Sequence, residues 1–129
     1  MTIKTQNETL TPEEAFTWLT KVMPGCRNPD LEKTIATDAL HAFCYARDVI
    51  KGRFELGEPV IAQDHKWAYM YAAYVLEGRF ELGEPIIAKN AQYAYYYAHD
   101  VLKGRFQLGE PIILKSIWAD EYKEQFNMQ

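Results

Sequence analysis

The sequence predicts an all-α fold, a short α-α solenoid of about four 26-residue repeats with polar end helices. Three observations carry this reading. The stretch from Asp38 to Pro111 says one thing three times: DALHAFCYARDVIKG, DHKWAYMYAAYVLEG and NAQYAYYYAHDVLKG, each followed by a near-copy of RFELGEPII. Gly52, Gly78 and Gly104 recur at the same period, and a period in this range marks a stacked-repeat architecture. Each long segment opens on Thr, Asp or Asn and closes on Gly, which are helix start and stop signals about four turns apart. Finally, the apolar residues follow a helical period. Offsets 4, 7 and 11 from the opening residue hold Ala42, Tyr45 and Val49, then Ala68, Tyr71 and Val75, then Ala94, Tyr97 and Val101. These nine residues form the expected core.

Taken in order, residues 1–10 are polar and read as a loose lead-in. Thr11-Pro12-Glu13-Glu14 opens a helix: Thr caps, Pro suits the first turn, and Glu14 completes a capping box. That helix is expected to end near Pro24-Gly25, inside a degenerate first repeat at 11–37. Ala15, Trp18, Val22 and Gly25 take the repeat offsets, an extra residue enters at Cys26, and Arg27 and Glu32 resume the later spacing. The full repeats span 38–63, 64–89 and 90–115. Offset 5 on one side (Phe43, Tyr69, Tyr95) and offset 3 on the other widen the apolar arc beyond what a one-sided helix needs. A helix with a neighbour on each side requires that width. The connectors, such as Gly83 to Ala88, place Pro at the start of a short return helix with Ile pairs tucked beneath, so successive long helices run parallel. Residues 116–129 restart the motif with Trp118, Ala119 and Tyr122, then turn polar as a capping helix. The whole is one domain.

Composition narrows the function classes. With a net charge of −4 and a pI near 5.4, the chain is poorly suited to gripping nucleic-acid phosphates. Cys26 and Cys44 stand in no metal-ligand spacing, and free thiols suit a reducing compartment. No signal-like start and no membrane-length apolar run appears, so a soluble cytoplasmic protein without membrane partners is expected.

The string (W/Y)-A-x-x-Y-A-x-x-V-(I/L)-K-G-R-F-x-x-x-E-P-x-I resembles a tandem repeat of small phage-encoded and bacterial proteins, most without assigned function. The resemblance implies a phage or prophage origin, a place in the host cytoplasm and a host-interaction role. It carries over no functional residues.

Two groups of residues are candidates for chemistry. The pairs Arg27/Glu32, Arg53/Glu58, Arg79/Glu84 and Arg105/Glu110 could bind a charged ligand. Their presence in every unit reads instead as part of the stacking rule. Offsets that vary between units and face outward are free to carry specificity: Cys44, Arg47 and Asp48; Met70, Ala73 and Tyr74; Tyr96, His99 and Asp100. Among these, Met70, Tyr74, Tyr96, His99 and Arg47 are the candidate binding residues, with interface and burial both open for the apolar ones. His41, His65 and His99 share no face, and no metal, nucleophile or phosphate-loop pattern is present. Gly57, Gly83 and Gly109 are connector glycines, each followed by a Glu that would repel phosphate. The expectation is a non-enzyme without cofactor or metal that binds another protein, either a host factor or its own copy. The alternative is a small-molecule or nucleotide binder in which Tyr rings stack on a base and Arg47, Arg53 or Arg79 takes the phosphate.

Overall fold

In the computed structural model, which describes residues 10–22 and 27–128, every regular element is helical. The chain opens with α1 (Pro12–Thr17), which widens into a π-helical turn at Trp18–Val22. Thr11 accepts from the Glu14 amide at 3.1 Å while Glu14 accepts from the Thr11 amide at 2.9 Å, the capping box read from sequence. The lead-in at 1–9, the helix end at Pro24-Gly25 and the insertion at Cys26 lie outside the described residues.

The connector helix of the first unit is α2 (Pro29–Ile35), capped by the Asn28 side chain. Then α3 (Ala39–Tyr45) starts on Asp38 and returns through α4 (Glu58–Ile61). Next come α5 (His65–Tyr71) on Asp64 with α6 (Glu84–Ile87), and α7 (Ala91–Tyr96) on Asn90 with α8 (Glu110–Ile113). Each Asx cap accepts from amides of the first helical turn, which would otherwise lack partners. The chain closes on α9 (Ala119–Gln125), which starts on Trp118 without a side-chain cap; Ser116, where the other units carry an Asx cap, accepts from the Trp118 amide at 3.1 Å just ahead of the helix. α1 packs on α3, α3 on α5 and α5 on α7, and the π-helical halves of neighbouring long helices also meet. Like halves facing like halves means that the long helices run parallel, with the short helices returning between them.

The second half of each long helix differs from the expectation. Ala46–Ile50, Ala72–Leu76 and Tyr97–Leu102 are π-helical, and the left-handed residue that ends each is Lys51, Glu77 or Lys103, with φ of 59°, 51° and 51°, not the glycine after it. The glycine amide then reaches six residues back, Gly52 to the Ala46 carbonyl at 3.1 Å. Wider turns advance less per residue, so a side chain at offset 11 no longer sits where a 3.6-residue period puts it. Val49, Val75 and Val101 are accordingly half-buried, whereas the six Ala and Tyr core positions are fully buried. The remaining core comes from Ala46, Ala72 and Ala98 and from the connectors, through Phe54, Phe80, Phe106, Ile61, Ile87 and Ile113.

The glycine that the packing demands is a different one. A Cβ on Gly83 would stand 2.7 Å from the Phe80 ring and 2.8 Å from the Ala68 Cβ, and Gly57 and Gly109 repeat this geometry. Small Ala at offset 4 therefore lets the long helix touch its own connector, rather than only its neighbouring helix.

Candidate functional site

The Arg–Glu pairs are one half of a larger cluster. Arg53 donates through Nε and Nη2 to both oxygens of Glu58, at 2.7 and 3.0 Å. Tyr71 of the following unit donates its hydroxyl to Glu58 Oε2 at 2.6 Å and accepts from the Phe54 amide at 2.8 Å. Arg79, Glu84, Tyr97 and Phe80 repeat the arrangement, and Arg27, Glu32 and Tyr45 form its side-chain part in the first unit. At the last junction Tyr122 accepts from the Phe106 amide at 2.9 Å, while Arg105 holds Glu110. Each glutamate is buried and each arginine roughly half exposed. The geometry explains why offset 7 is Tyr and not Phe: its oxygen bolts one unit to the connector before it. The first long helix carries Trp18 at that offset, at the start of its π-helical turn, and no such hydroxyl.

The electrostatics fit a structural clamp. Burial first, and then the bond to glutamate, pushes the phenols of Tyr45, Tyr71 and Tyr97 far above the ordinary tyrosine range. Burial alone would raise the Glu32 carboxyl, but the bonds from Arg27 and Tyr45 outweigh it and hold Glu32 below the usual range. A neutral phenol donating to an ionised carboxylate, itself forked by a guanidinium, leaves neither a base nor a nucleophile. Among the described residues no buried side-chain polar atom lacks a partner.

A second rule operates on the long helices. The ring at offset 5 meets the ring at offset 3 of the next unit, Phe16 with His41 at 5.9 Å, Phe43 with Trp67 at 5.4 Å and Tyr69 with Tyr93 at 5.8 Å, and at the last junction Tyr95 stacks at 5.1 Å on Trp118, which comes one residue early at offset 2. The two arcs that broadened the apolar face in the sequence are the two sides of this contact.

The outward candidates separate into three settings. Tyr74 stands 60% exposed, while Met70 is half-buried against the core. Tyr96 is also half-buried, ringed by Tyr69, Tyr93, Tyr95 and Trp118. His99 is exposed and bonded to Asp100 at 2.6 Å, and Asp100 also accepts from the Tyr69 hydroxyl. Arg47 lies two units before His99, forked onto Asp48 at 2.8 and 3.0 Å and above the Phe43 ring. The fold thus gathers Tyr96 and His99 around Tyr69 and Asp100 at the α5–α7 junction, and leaves Arg47 apart. His41 bonds its own cap residue Asp38 at 2.5 Å, and His65 packs on Tyr93. Burial pushes the Cys44 thiol up, away from reactivity. Among the described residues no three His, Cys, Asp or Glu side chains converge as metal ligands, and no helix is long and apolar enough to cross a membrane.

One exposed feature escaped the sequence reading. Leu56, Leu82 and Leu108 stand 48%, 55% and 55% exposed on the connector edge. Their repetition placed them with the stacking residues, and only exposure separates them from it. No protein-family model matches this chain, and neither does any curated protein or solved structure.

Proposed function

We propose that this chain is a non-catalytic helical-repeat protein that binds another protein through the outer face of its long helices around the α5–α7 junction. The observation that carries the reading is Tyr74, a large ring left 60% in solvent on the same long helix as Tyr69, whose ring joins a Tyr and Trp cluster through Tyr96. Rigid aromatic side chains with one polar tip are what protein interfaces favour. The groups that looked chemical, the repeated Arg, Glu and Tyr, are occupied with one another. The partner is a host factor, in line with the phage-type repeat, or a second copy of the chain.

The test compares the native chain with Tyr74→Ser and with the double variant Met70→Ser/Tyr74→Ser. Sedimentation velocity reads self-association, and affinity capture from host lysate with mass spectrometry reads a partner. Loss of the dimer or of the captured protein supports the reading. A native chain that is monomeric and captures the same proteins as the variants refutes it. Nucleotide binding is the weaker reading, because Arg47 is forked onto Asp48 over the Phe43 ring, away from the tyrosine cluster, and Glu55 and Glu81 follow Arg53 and Arg79 in their connectors. A melting temperature raised by nucleotides and unmoved by Tyr74→Ser would favour it.

A further inference from the structure

The connector edge repeats a basic and an apolar side chain in each full unit: Arg53 with Leu56, Arg79 with Leu82, and Arg105 with Leu108. Stacking does not account for the leucines, whose side chains point into solvent. Nor does it use the whole of each guanidinium. Arg79 and Arg105 give only Nε and Nη2 to Glu84 and Glu110, and the side chains remain 57% and 49% exposed. A guanidinium carries five donors in a planar fork, so the edge that glutamate leaves unused can take a second carboxylate. The buried glutamates hold these forks in place beforehand, which lowers the entropy cost of ordering them on binding.

One site along this edge departs from the repeat. The residue two past the arginine is Glu55 and then Glu81, but Gln107 in the last connector. Glu58 first, then Tyr71 and last Glu55 raise the pKa of Arg53 against a small opposing effect of burial, and Glu84, Tyr97 and Glu81 do the same for Arg79. Arg105 has Glu110 and then Tyr122, with no second connector acid. Gln107 lies in an open groove of about 600 Å³, lined by Arg79, Glu84, Arg105, Phe106, Gln107 and Leu108. Two guanidiniums from successive units thus face one groove, with an amide where the other connectors carry a negative charge. Glu84 is the remaining acid there, and its oxygens are committed to Arg79 and Tyr97.

We propose that this groove docks a short acidic segment of a partner protein, with a carboxylate side chain between Arg79 and Arg105 and a neighbouring apolar side chain against Leu108. Charge complementarity selects this occupant, and the exposed leucine selects an apolar residue beside the acid. The surface is separate from the one around Tyr74 and stands or falls without it.

The experiment titrates the full chain into a fluorescein-labelled hexapeptide of alternating Glu and Leu, read by fluorescence anisotropy at low salt. Controls replace Glu by Gln or Leu by Ser. The expected result is saturable binding, weakened at least about fivefold in either control and weakened further by added salt. Gln107→Glu weakens binding about fivefold, the order expected for one nearby charge in water. It leaves the melting temperature in place, because Glu already occupies this position in the other two connectors. Leu108→Ser weakens binding likewise, and Tyr74→Ser leaves it unchanged. Absence of binding to the Glu–Leu peptide, equal binding of the Gln–Leu control, or an unchanged affinity in Gln107→Glu overturns the proposal. So does full displacement of the peptide by millimolar inorganic phosphate, which would mark a general anion site.

Discussion

Tyr71→Phe keeps a fully buried ring and removes a single oxygen, which isolates the bolt between units. That oxygen donates to Glu58 at 2.6 Å and accepts from the Phe54 amide at 2.8 Å, both in the interior. A hydrogen bond to a charged group contributes about 1.5–3 kcal/mol, and an orphaned buried donor costs about 1–3 kcal/mol. Arg53 still holds Glu58 after the change, so the lower end of each range applies, and the sum is about 2.5 kcal/mol. In a domain of this size 1 kcal/mol moves the melting temperature by about 3–5 °C, so the variant should melt about 10 °C lower. In urea the midpoint should fall with the slope unchanged, since the surface buried is the same. Tyr122→Phe provides the internal control. Its hydroxyl accepts from the Phe106 amide at 2.9 Å, whereas Glu110 is held by Arg105 through Oε1. It should cost only about half as much, or 1–2 kcal/mol. A Tyr71→Phe variant that melts within about 2 °C of the native chain, or a Tyr122→Phe variant that costs equally, refutes the assignment of the hydroxyl as the inter-unit link.

Other perturbations probe the same architecture. Gly83→Ala should destabilise by about 1–3 kcal/mol, because its Cβ would meet the Phe80 ring and the Ala68 Cβ, both hemmed in. Gly78→Ala, with nothing closer than the Leu76 carbonyl at 3.8 Å, should be neutral or raise stability by about 0.4–1 kcal/mol, and thermal melts of the pair will separate the two glycines. Glu77→Gly should raise stability by about 0.5–1 kcal/mol, since it relieves a left-handed residue at φ 51° and loses some of that gain to the freer unfolded chain. Alkaline pH should unfold the stack. The buried phenols of Tyr45, Tyr71 and Tyr97 have pKa values raised by burial and then by their glutamates, so their contribution is whole below about pH 10 and declines as pH rises past it. Each adds up to about 1.4 kcal/mol per pH unit to that decline, and urea midpoints between pH 8 and 11 should fall less steeply in Tyr71→Phe. In acid the sign reverses. Glu32, held low by Arg27 and Tyr45 against the effect of burial, stabilises above the ordinary carboxylate pKa, and that contribution goes as pH falls through its lowered value.

Much of the fold was legible because helix signals are local. The caps at Thr11, Asp38, Asp64 and Asn90 sit where the chain places them, since a side-chain oxygen two or three residues from an amide needs no tertiary partner. The broad apolar arc likewise announced neighbours on both sides, and the ring pairs Phe43 with Trp67 and Tyr69 with Tyr93 fill it. What the arc could not announce was the π-helical half of each long helix. Side-chain identity at Val49, Val75 and Val101 is the same for a narrow or a wide turn, so their retreat to half-burial was invisible. The glycines were misread for a similar reason. Gly52 stands at a helix end and looks like the left-handed cap, while Lys51 takes that conformation, and the demand on Gly57 comes from Phe54 and Ala42 in three dimensions.

The sequence by itself determined that this protein is a stack of like helical units, because a repeated pattern of caps and apolar positions must build the same element each time. It also marked Arg and Glu at fixed spacing as partners. Tertiary structure alone decided that Tyr71 and Tyr97 complete those pairs from the next unit, that Tyr74 and Leu108 stay in solvent, and that Arg79 and Arg105 share a groove. The reason is range. A cap or an amphipathic period is settled within one or two helical turns, whereas a hydroxyl that crosses from one unit to the next, or a leucine that finds no cover, exists only once the units are laid side by side.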